Sequence, residues 1–195
     1  IHLEYMRHRN NNFYLGAQNV SQHLKGPFTG EISCNSLREL NIDFCIVGHS
    51  ERRQNFKETN EDVNLKSNEL IKNNIVPIIC IGETLKDKES GKTNDTLARQ
   101  LEEGVPDSSN GKNTIIAYEP VWAIGSGLTP TFQEIDKTHD FIKNHNSKFS
   151  HYKIIYGGSV KANNAKEITS LSNVNGALIG GASLMVDEFI MIIQD

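Results

Sequence analysis

Short apolar runs alternate with amphipathic stretches along the chain. The apolar runs are rich in β-branched residues and too short for buried helices, so they predict strands over residues 13–18, 43–48, 76–81, 114–118, 152–156 and 176–179. Apolar residues at helical spacing predict helices over residues 36–40, 60–73, 92–103, 132–144, 163–171 and 184–194, and the end of another over residues 1–8. Because the strands are apolar throughout, they indicate a parallel sheet covered on both faces.

Polar or glycine residues follow successive predicted strands. His49, Glu83, Glu119, Ser159 and the pair Gly180-Gly181 all come directly after an apolar run. The carboxyl ends of parallel strands meet on one face of a (β/α)8 barrel, whereas an open sheet would gather such groups at one switch point. No G-x-G-x-x-G sequence follows a strand, so a dinucleotide site is not predicted. The pattern favours a barrel with a site at its carboxyl-terminal face.

Glu119 stands where the 114–118 strand must end. Pro120 offers no backbone N–H to a strand ladder, residues 121–124 are apolar, and residues 125–127 read Gly-Ser-Gly. A stiff start, an apolar middle and a glycine-rich end are typical of a mobile lid that excludes water. A carboxylate beside such a lid suits proton abstraction in a dry site. The alternative for Glu119 alone is a helix cap or an ion-pair partner.

Glycine pairs follow the last two predicted strands. Gly157-Gly158 precedes Ser159, and Gly180-Gly181 precedes the final predicted helix. Glycines let backbone N–H groups approach an anion closely, and barrels commonly bind phosphate at the loops after strands seven and eight. Either pair alone could be a tight turn. Together they predict a small phosphorylated substrate.

Composition excludes several other classes. With 24 acidic and 20 basic residues, the net charge of −4 gives no electrostatic footprint for nucleic acid. No run is long and apolar enough to predict a membrane span. The three cysteines form no C-x-x-C pair, which indicates reduced thiols in a cytoplasmic protein, and the seven histidines lack metal-ligand spacing. No metal site is predicted.

Several motifs resemble the triosephosphate isomerase family, and they occur in that family's order. The most specific of these motifs are G-H-S-E-R-R at residues 48–53 and A-Y-E-P-V-W-A-I-G at residues 117–125. The resemblance implies a (β/α)8 barrel that interconverts dihydroxyacetone phosphate and D-glyceraldehyde 3-phosphate through an enediolate. It implies that Glu119 is the base and His49 a neutral electrophile, a pairing for which this family is a standard example.

The resemblance also implies the remaining site residues and the assembly. Phosphate would be held by Gly125, Ser159, Gly180 and Gly181, and no metal or organic cofactor would be needed. Residues 19–33, from Asn19 to Ser33, resemble the family's interface loop, which implies a homodimer with the loop tip in the neighbouring subunit's site.

The chain departs from the family pattern at one place. A complete barrel of this type has about 250 residues, whereas this sequence has 195. No part of the sequence matches the family's first strand, first helix and second strand. The family's N-x-K motif, which supplies the catalytic lysine, belongs to that unmatched part, so no catalytic lysine is assigned. We expect residues 1–195 to form a single partial barrel domain with six of eight strands, whose activity alone is low. The alternatives are a non-catalytic remnant, a binding or interaction protein, or another phosphate-handling barrel enzyme.

Overall fold

Strands and helices alternate in the computed structural model, which describes residues 13–124 and 128–194. The strands are β1 (Gly16–Ala17), β2 (Phe44–Val47), β3 (Val76–Ile81), β4 (Ile115–Tyr118) and β5 (Lys153–Tyr156). The helices are α1 (Cys34–Glu39), α2 (Ser50–Asn55), α3 (Asn60–Lys72), α4 (Leu85–Glu89), α5 (Thr93–Gly104), α6 (Phe132–Asn144), α7 (Ala165–Thr169) and α8 (Val186–Gln194). The helix predicted over residues 1–8 lies outside the described residues.

The five strands form one sheet in the order β1-β2-β3-β4-β5. β1 pairs parallel with β2, and β2 pairs parallel with β3, where Phe44 lies opposite Val76 and Val47 opposite Ile79. A strand order that follows the chain requires a crossover between each parallel neighbour, and the helices provide it. The predicted parallel α/β sheet is confirmed.

Two predicted strands are shorter than the sequence pattern suggested. β1 keeps two residues, and the strand expected over residues 176–179 is reduced to a single parallel bridge between Tyr156 and Ala177. Two hydrogen bonds accompany that bridge, from the Tyr156 N–H to the Gly176 carbonyl and from the Leu178 N–H to the Tyr156 carbonyl. The pairing ends there because β5 itself ends at Tyr156. Among the described residues, five strands and one bridge therefore replace the six strands expected.

The described chain forms two compact units. The first comprises residues 13–79 and 102–115, and its core lies between β2 and α3. Cys45 and Val47 of β2 and Val63 and Leu70 of α3 are all fully buried. The apolar positions of α3 recur at helical spacing, which places them on one face against the sheet.

The second unit comprises residues 80–101 and 116–194. Its core contains Ile116 of β4, Ile154 of β5 and the α6 residues Ile135 and Ile142, all at most 2% exposed. A capping box begins α6. The Thr131 hydroxyl accepts from the Glu134 N–H at 3.2 Å, and Glu134 Oε2 accepts from the Thr131 N–H at 2.7 Å.

All three cysteines are buried free thiols. Burial raises the pKa of Cys34 to about 11 and that of Cys45 to about 12, with smaller contributions from neighbouring charged and ionisable groups. Cys45 lies in β2 and Cys80 in β3, and both are part of the core. A search of the described helices finds none long and apolar enough to cross a membrane.

Candidate functional site

Glu119 occupies the position immediately after β4, and its side chain is only 2% exposed. Its backbone N–H donates to the Ile81 carbonyl at the end of β3, at 2.8 Å. The sheet ladder therefore fixes the backbone of Glu119 while its side chain extends beyond the strand. A carboxylate on a strand end is held more rigidly than one on a free loop.

Two glycines pack directly against Glu119. A Cβ atom added to Gly82 would lie 1.7 Å from the Glu119 carbonyl oxygen, and one added to Gly157 would lie 2.8 Å from the Glu119 Cγ. The Gly157 N–H also donates to the Tyr118 carbonyl at 2.7 Å. Only glycine fits at these two positions without displacing the backbone or side chain of Glu119. The residues that follow β3 and β5 thus pack against Glu119, Gly82 at its backbone carbonyl and Gly157 at its side chain.

Glu83 anchors the segment that follows Glu119. Its Oε1 atom accepts from the Trp122 Nε1–H at 2.7 Å and from the Tyr118 hydroxyl at 3.2 Å, and its carbonyl accepts from the Val121 N–H at 3.2 Å. Glu83 is 1% exposed, and its Oε2 has no hydrogen-bond partner among the described residues. Burial raises the pKa of Glu83, opposed by the hydrogen bonds from Trp122 and Tyr118 and by the nearby Lys88 charge.

The Trp122 ring has a second fixed contact. The Lys88 ammonium lies 3.4 Å from the centroid of the ring, and the same ammonium lies 3.2 Å from Glu134 Oε1. A cation over an indole face is the most favourable cation–π pairing. Val121–Ala123 forms one 3₁₀ turn, so the start of the predicted lid is well anchored. Gly125, predicted to bind phosphate on that lid, lies outside the described residues.

Ser159, Gly180 and Gly181 lie in the second unit with Glu119. Ser159 is half-buried and lines a pocket of about 540 Å³ with Lys161 and Tyr156. Gly180 and Gly181 have open space beside their Cα atoms. Gly181–Leu184 is a 3₁₀ turn and α8 begins at Val186, two residues after the predicted start at Leu184.

His49 lies in the first unit, where it caps α2. Its Nδ1 accepts from the Glu51 N–H at 3.3 Å, which requires an Nδ1 without a proton. The Glu51 carboxylate, 3.9 Å from the same Nδ1, would favour a proton there. With Nδ1 accepting, a neutral ring carries its proton on Nε2. The side chain is 28% exposed.

Glu58 fixes the backbone beside His49, and the sequence reasoning missed it. Glu58 Oε1 accepts from the Gly48 N–H at 3.0 Å, while its Oε2 pairs with Arg52 at 2.5 Å and Lys66 at 3.1 Å. Gly48 has φ of +70°, a conformation that favours glycine. Glu58 sits in a polar stretch with no periodic signal, so nothing in the pattern distinguishes it from a surface carboxylate.

The described residues contain no group of three or more His, Cys, Asp or Glu side chains placed to hold a metal ion. The candidate site in the second unit consists instead of the buried Glu119 carboxylate, the anchored turn Val121–Ala123 and the backbone at Gly180 and Gly181.

Comparison with known proteins identifies the family. The sequence profile of the triosephosphate isomerase family matches residues 1–195. The chain belongs to the triosephosphate isomerase family. It is 47% identical over 179 residues to triosephosphate isomerase of Mesomycoplasma hyorhinis, an alignment that covers 92% of this chain and 72% of that protein. It is 46% identical over 187 residues to the enzyme of Francisella tularensis subsp. mediasiatica, covering 92% and 74% of the two chains.

A solved structure supports the same assignment of fold. The crystal structure of triosephosphate isomerase from Bartonella henselae superposes with a TM-score of 0.91 at 38% identity, covering 99% of this chain and 81% of that one. The predicted α/β barrel class is confirmed, since the two folds match over nearly the whole chain. The chain spans about three quarters of the length of these two sequence relatives.

Proposed function

We propose that this protein is a triosephosphate isomerase, which interconverts dihydroxyacetone phosphate and D-glyceraldehyde 3-phosphate. The observation that carries the proposal is the placement of Glu119: a 2% exposed carboxylate on a strand end, enclosed by Gly82 and Gly157. Family membership supplies the substrate class. The isomerisation moves one proton between two adjacent carbons, which a single carboxylate can do, and one proton between the oxygens on those carbons.

Glu119 acts as the general base in this scheme. Its carboxylate removes a proton from the carbon next to the substrate carbonyl, the electron pair moves onto the carbonyl oxygen, and an enediolate forms. Glu119 then returns the proton to the neighbouring carbon, while the hydroxyl proton passes from one substrate oxygen to the other, so that the new carbonyl and the new hydroxyl form together. The low exposure of Glu119 keeps water away from the reacting carbons.

His49 stabilises the charge that develops on the substrate oxygens. The Nδ1 contact with the Glu51 N–H leaves Nε2 as the protonated nitrogen. A neutral imidazole donates a hydrogen bond from Nε2 to an oxyanion without transferring its proton outright. A donor aimed at developing negative charge is typically the largest single contribution to such reactions.

Backbone N–H groups and one hydroxyl hold the phosphate. Ser159 offers its hydroxyl and N–H, and Gly180, Gly181 and Gly125 offer backbone N–H groups. The half-buried position of Ser159 beside Lys161 supports an anion there, as both line one pocket. The lid then excludes water, which would otherwise favour elimination of phosphate from the enediolate.

The interface loop of residues 19–33 joins two copies into a homodimer. The support is exposed apolar surface: Leu24 is 43% exposed, Phe28 40% and Ile32 54%. Clustered exposed apolar side chains mark interaction surfaces. We place the enzyme in the cytoplasm on the basis of its reduced thiols. Sedimentation at several concentrations checks the dimer, and a Leu24→Glu variant is expected to be monomeric.

Deuterium incorporation from D₂O tests the catalytic proposal. The protein is incubated with D-glyceraldehyde 3-phosphate, and NMR measures both conversion and deuterium at the adjacent carbon. Glu119→Gln is expected to lower the turnover by about 10² to 10⁴-fold, the usual contribution of a general base. Glu167→Gln, a carboxylate on α7, is the matched control and should keep wild-type turnover.

Two results would overturn the proposal. Equal turnover in wild type and Glu119→Gln would remove Glu119 from the reaction. A folded wild-type protein that binds an enediolate-like phosphate analogue but exchanges no deuterium would be a non-catalytic binding protein, the main alternative.

A further inference from the structure

His139 is a buried histidine that the proposed reaction does not use. It lies on the inner face of α6, is fully buried, and sits between two aromatic side chains. Its ring meets the Tyr118 ring edge to face, with centroids 5.8 Å apart and planes at 84°, and its centroid is 6.3 Å from that of Tyr156. An edge-to-face pair of this kind is a directional contact beyond simple burial.

One tautomer of His139 follows from its hydrogen bond. Nδ1 lies 3.3 Å from the Asn173 carbonyl oxygen, which can only accept, so Nδ1 carries the proton and donates. Nε2 is buried and has no hydrogen-bond partner among the described residues. Burial lowers the pKa of His139 to about 4, opposed by the Asn173 carbonyl and the Asp136 charge. The ring is therefore neutral, tethered at one edge, and packed against Tyr118 at the other side.

Tyr118 connects this ring to the site. It is the residue before Glu119, its carbonyl accepts from the Gly157 N–H at 2.7 Å, and its hydroxyl donates to Glu83 Oε1 at 3.2 Å. The same Glu83 oxygen holds the indole N–H of Trp122. A shift of the Tyr118 ring would move its hydroxyl away from Glu83 and so loosen Trp122.

We propose that His139 is a positioning residue for the site: its ring fixes Tyr118, and through Tyr118 the Glu83–Trp122 contact at the start of the lid. That the Glu83–Trp122 contact matters for turnover rests on the proposed function of Glu119. That His139 holds this contact in place does not depend on that function. The competing explanation is that His139 only fills space in the core between α6 and the sheet.

Trp122 is the single tryptophan of the chain, so its fluorescence reports this contact without any need for turnover. His139→Asn keeps a donor for Asn173 but removes the ring from Tyr118. His139→Phe keeps the ring and removes the donor. If the ring acts on Tyr118, acrylamide quenching of Trp122 should rise about twofold or more in His139→Asn and stay near wild type in His139→Phe, as expected for local opening of a contact.

Ile142→Ala is the matched control, because Ile142 is fully buried one turn along the same helix. It should lower the stability and leave native-state quenching unchanged. Tyr118→Phe removes the hydroxyl that reaches Glu83 and should raise quenching by itself. Adding His139→Asn to Tyr118→Phe should then add little, since both act through one contact.

Three outcomes would contradict the proposal: quenching in His139→Asn no greater than in Ile142→Ala, equal quenching in the two His139 variants, or additive effects in the double variant. If His139→Asn does not fold, His139→Gln replaces it, with the same expectations.

Where turnover is measurable, kcat should fall in the Asn variant with KM little changed. Loss of turnover in the wild type with the quenching pattern intact would reject the proposed function and leave the positioning role standing.

Discussion

At the scale of single residues, glycines decide where the candidate base sits. The sequence pointed to Glu119 because a carboxylate followed an apolar run and preceded a proline. It gave no reason to single out Gly82, whose missing side chain leaves room for the Glu119 carbonyl. The close approach of the two backbones depends on how β3 and β4 are aligned with each other. The spacing of apolar residues along one strand does not reveal that alignment.

Replacing Gly82 by alanine should therefore be costly. The added Cβ would lie 1.7 Å from the Glu119 carbonyl oxygen, so the two strand ends must separate. We expect the free energy of unfolding to fall by about 3 kcal/mol or more, the upper range for overpacking. Gly104→Ala is the control, because its Cβ would meet only ordinary contacts at 3.7 Å and more. Urea denaturation of both variants measures the difference, and equal stabilities would contradict the reasoning.

His139 should make the stability depend on pH. Its pKa is 6.5 when unperturbed and about 4 in the folded protein, lowered first by burial. A depressed folded pKa means that the stabilisation is present above pH 6.5 and is lost as the pH falls through about 4. The free energy of unfolding should fall by at most about 3 kcal/mol for this difference in pKa. His139→Phe should flatten the pH profile of unfolding over that window, whereas His151→Gln, at an exposed position, should not.

At the scale of elements, local chemistry predicted helix starts better than strand lengths. The predicted helix over residues 132–144 begins where expected, and Thr131 and Glu134 form both bonds of a capping box there. The same arrangement begins α3 at Thr59 and α4 at Thr84. Strand lengths depend on a partner strand. The run over residues 176–179 had the right composition, yet it pairs only at Ala177.

Removing the α6 cap should cost a defined amount. Thr131→Ala loses the hydroxyl that accepts from the Glu134 N–H, and we expect about 1 kcal/mol less stability. Lys137→Ala, in the middle of the same helix, is the control. The Lys137 side chain is exposed, so its loss should be nearly neutral. Thermal unfolding distinguishes the two, and a cap variant as stable as the control would reject the role of Thr131.

At the scale of the whole molecule, the sequence predicted class and order but not surface exposure. Alternating apolar and amphipathic runs were enough for a parallel α/β barrel, because each strand had to be buried on both faces. The same pattern predicted α8 from its apolar residues. Several of them are exposed: Val186 is 72% exposed, Ile193 63%, and the neighbouring Met185 63%. Periodicity identifies an apolar face but does not say what covers it.

This exposed apolar surface should promote association during unfolding. Val186→Lys combined with Ile193→Lys is expected to reduce light scattering at intermediate urea concentrations, because charge on an apolar patch opposes aggregation. Leu65→Lys is the control, since Leu65 is a single 45% exposed leucine on α3. Scattering that falls equally in the control would mean that net charge, not the α8 surface, is responsible.

The burial of all three thiols has a practical consequence for spectroscopy. With Cys34, Cys45 and Cys80 enclosed in the core, the native protein offers no accessible thiol to a maleimide reagent among its described residues. A single cysteine introduced at an exposed position, such as Ser172, would then carry a spin label or a dye without a cysteine-free background having to be built first.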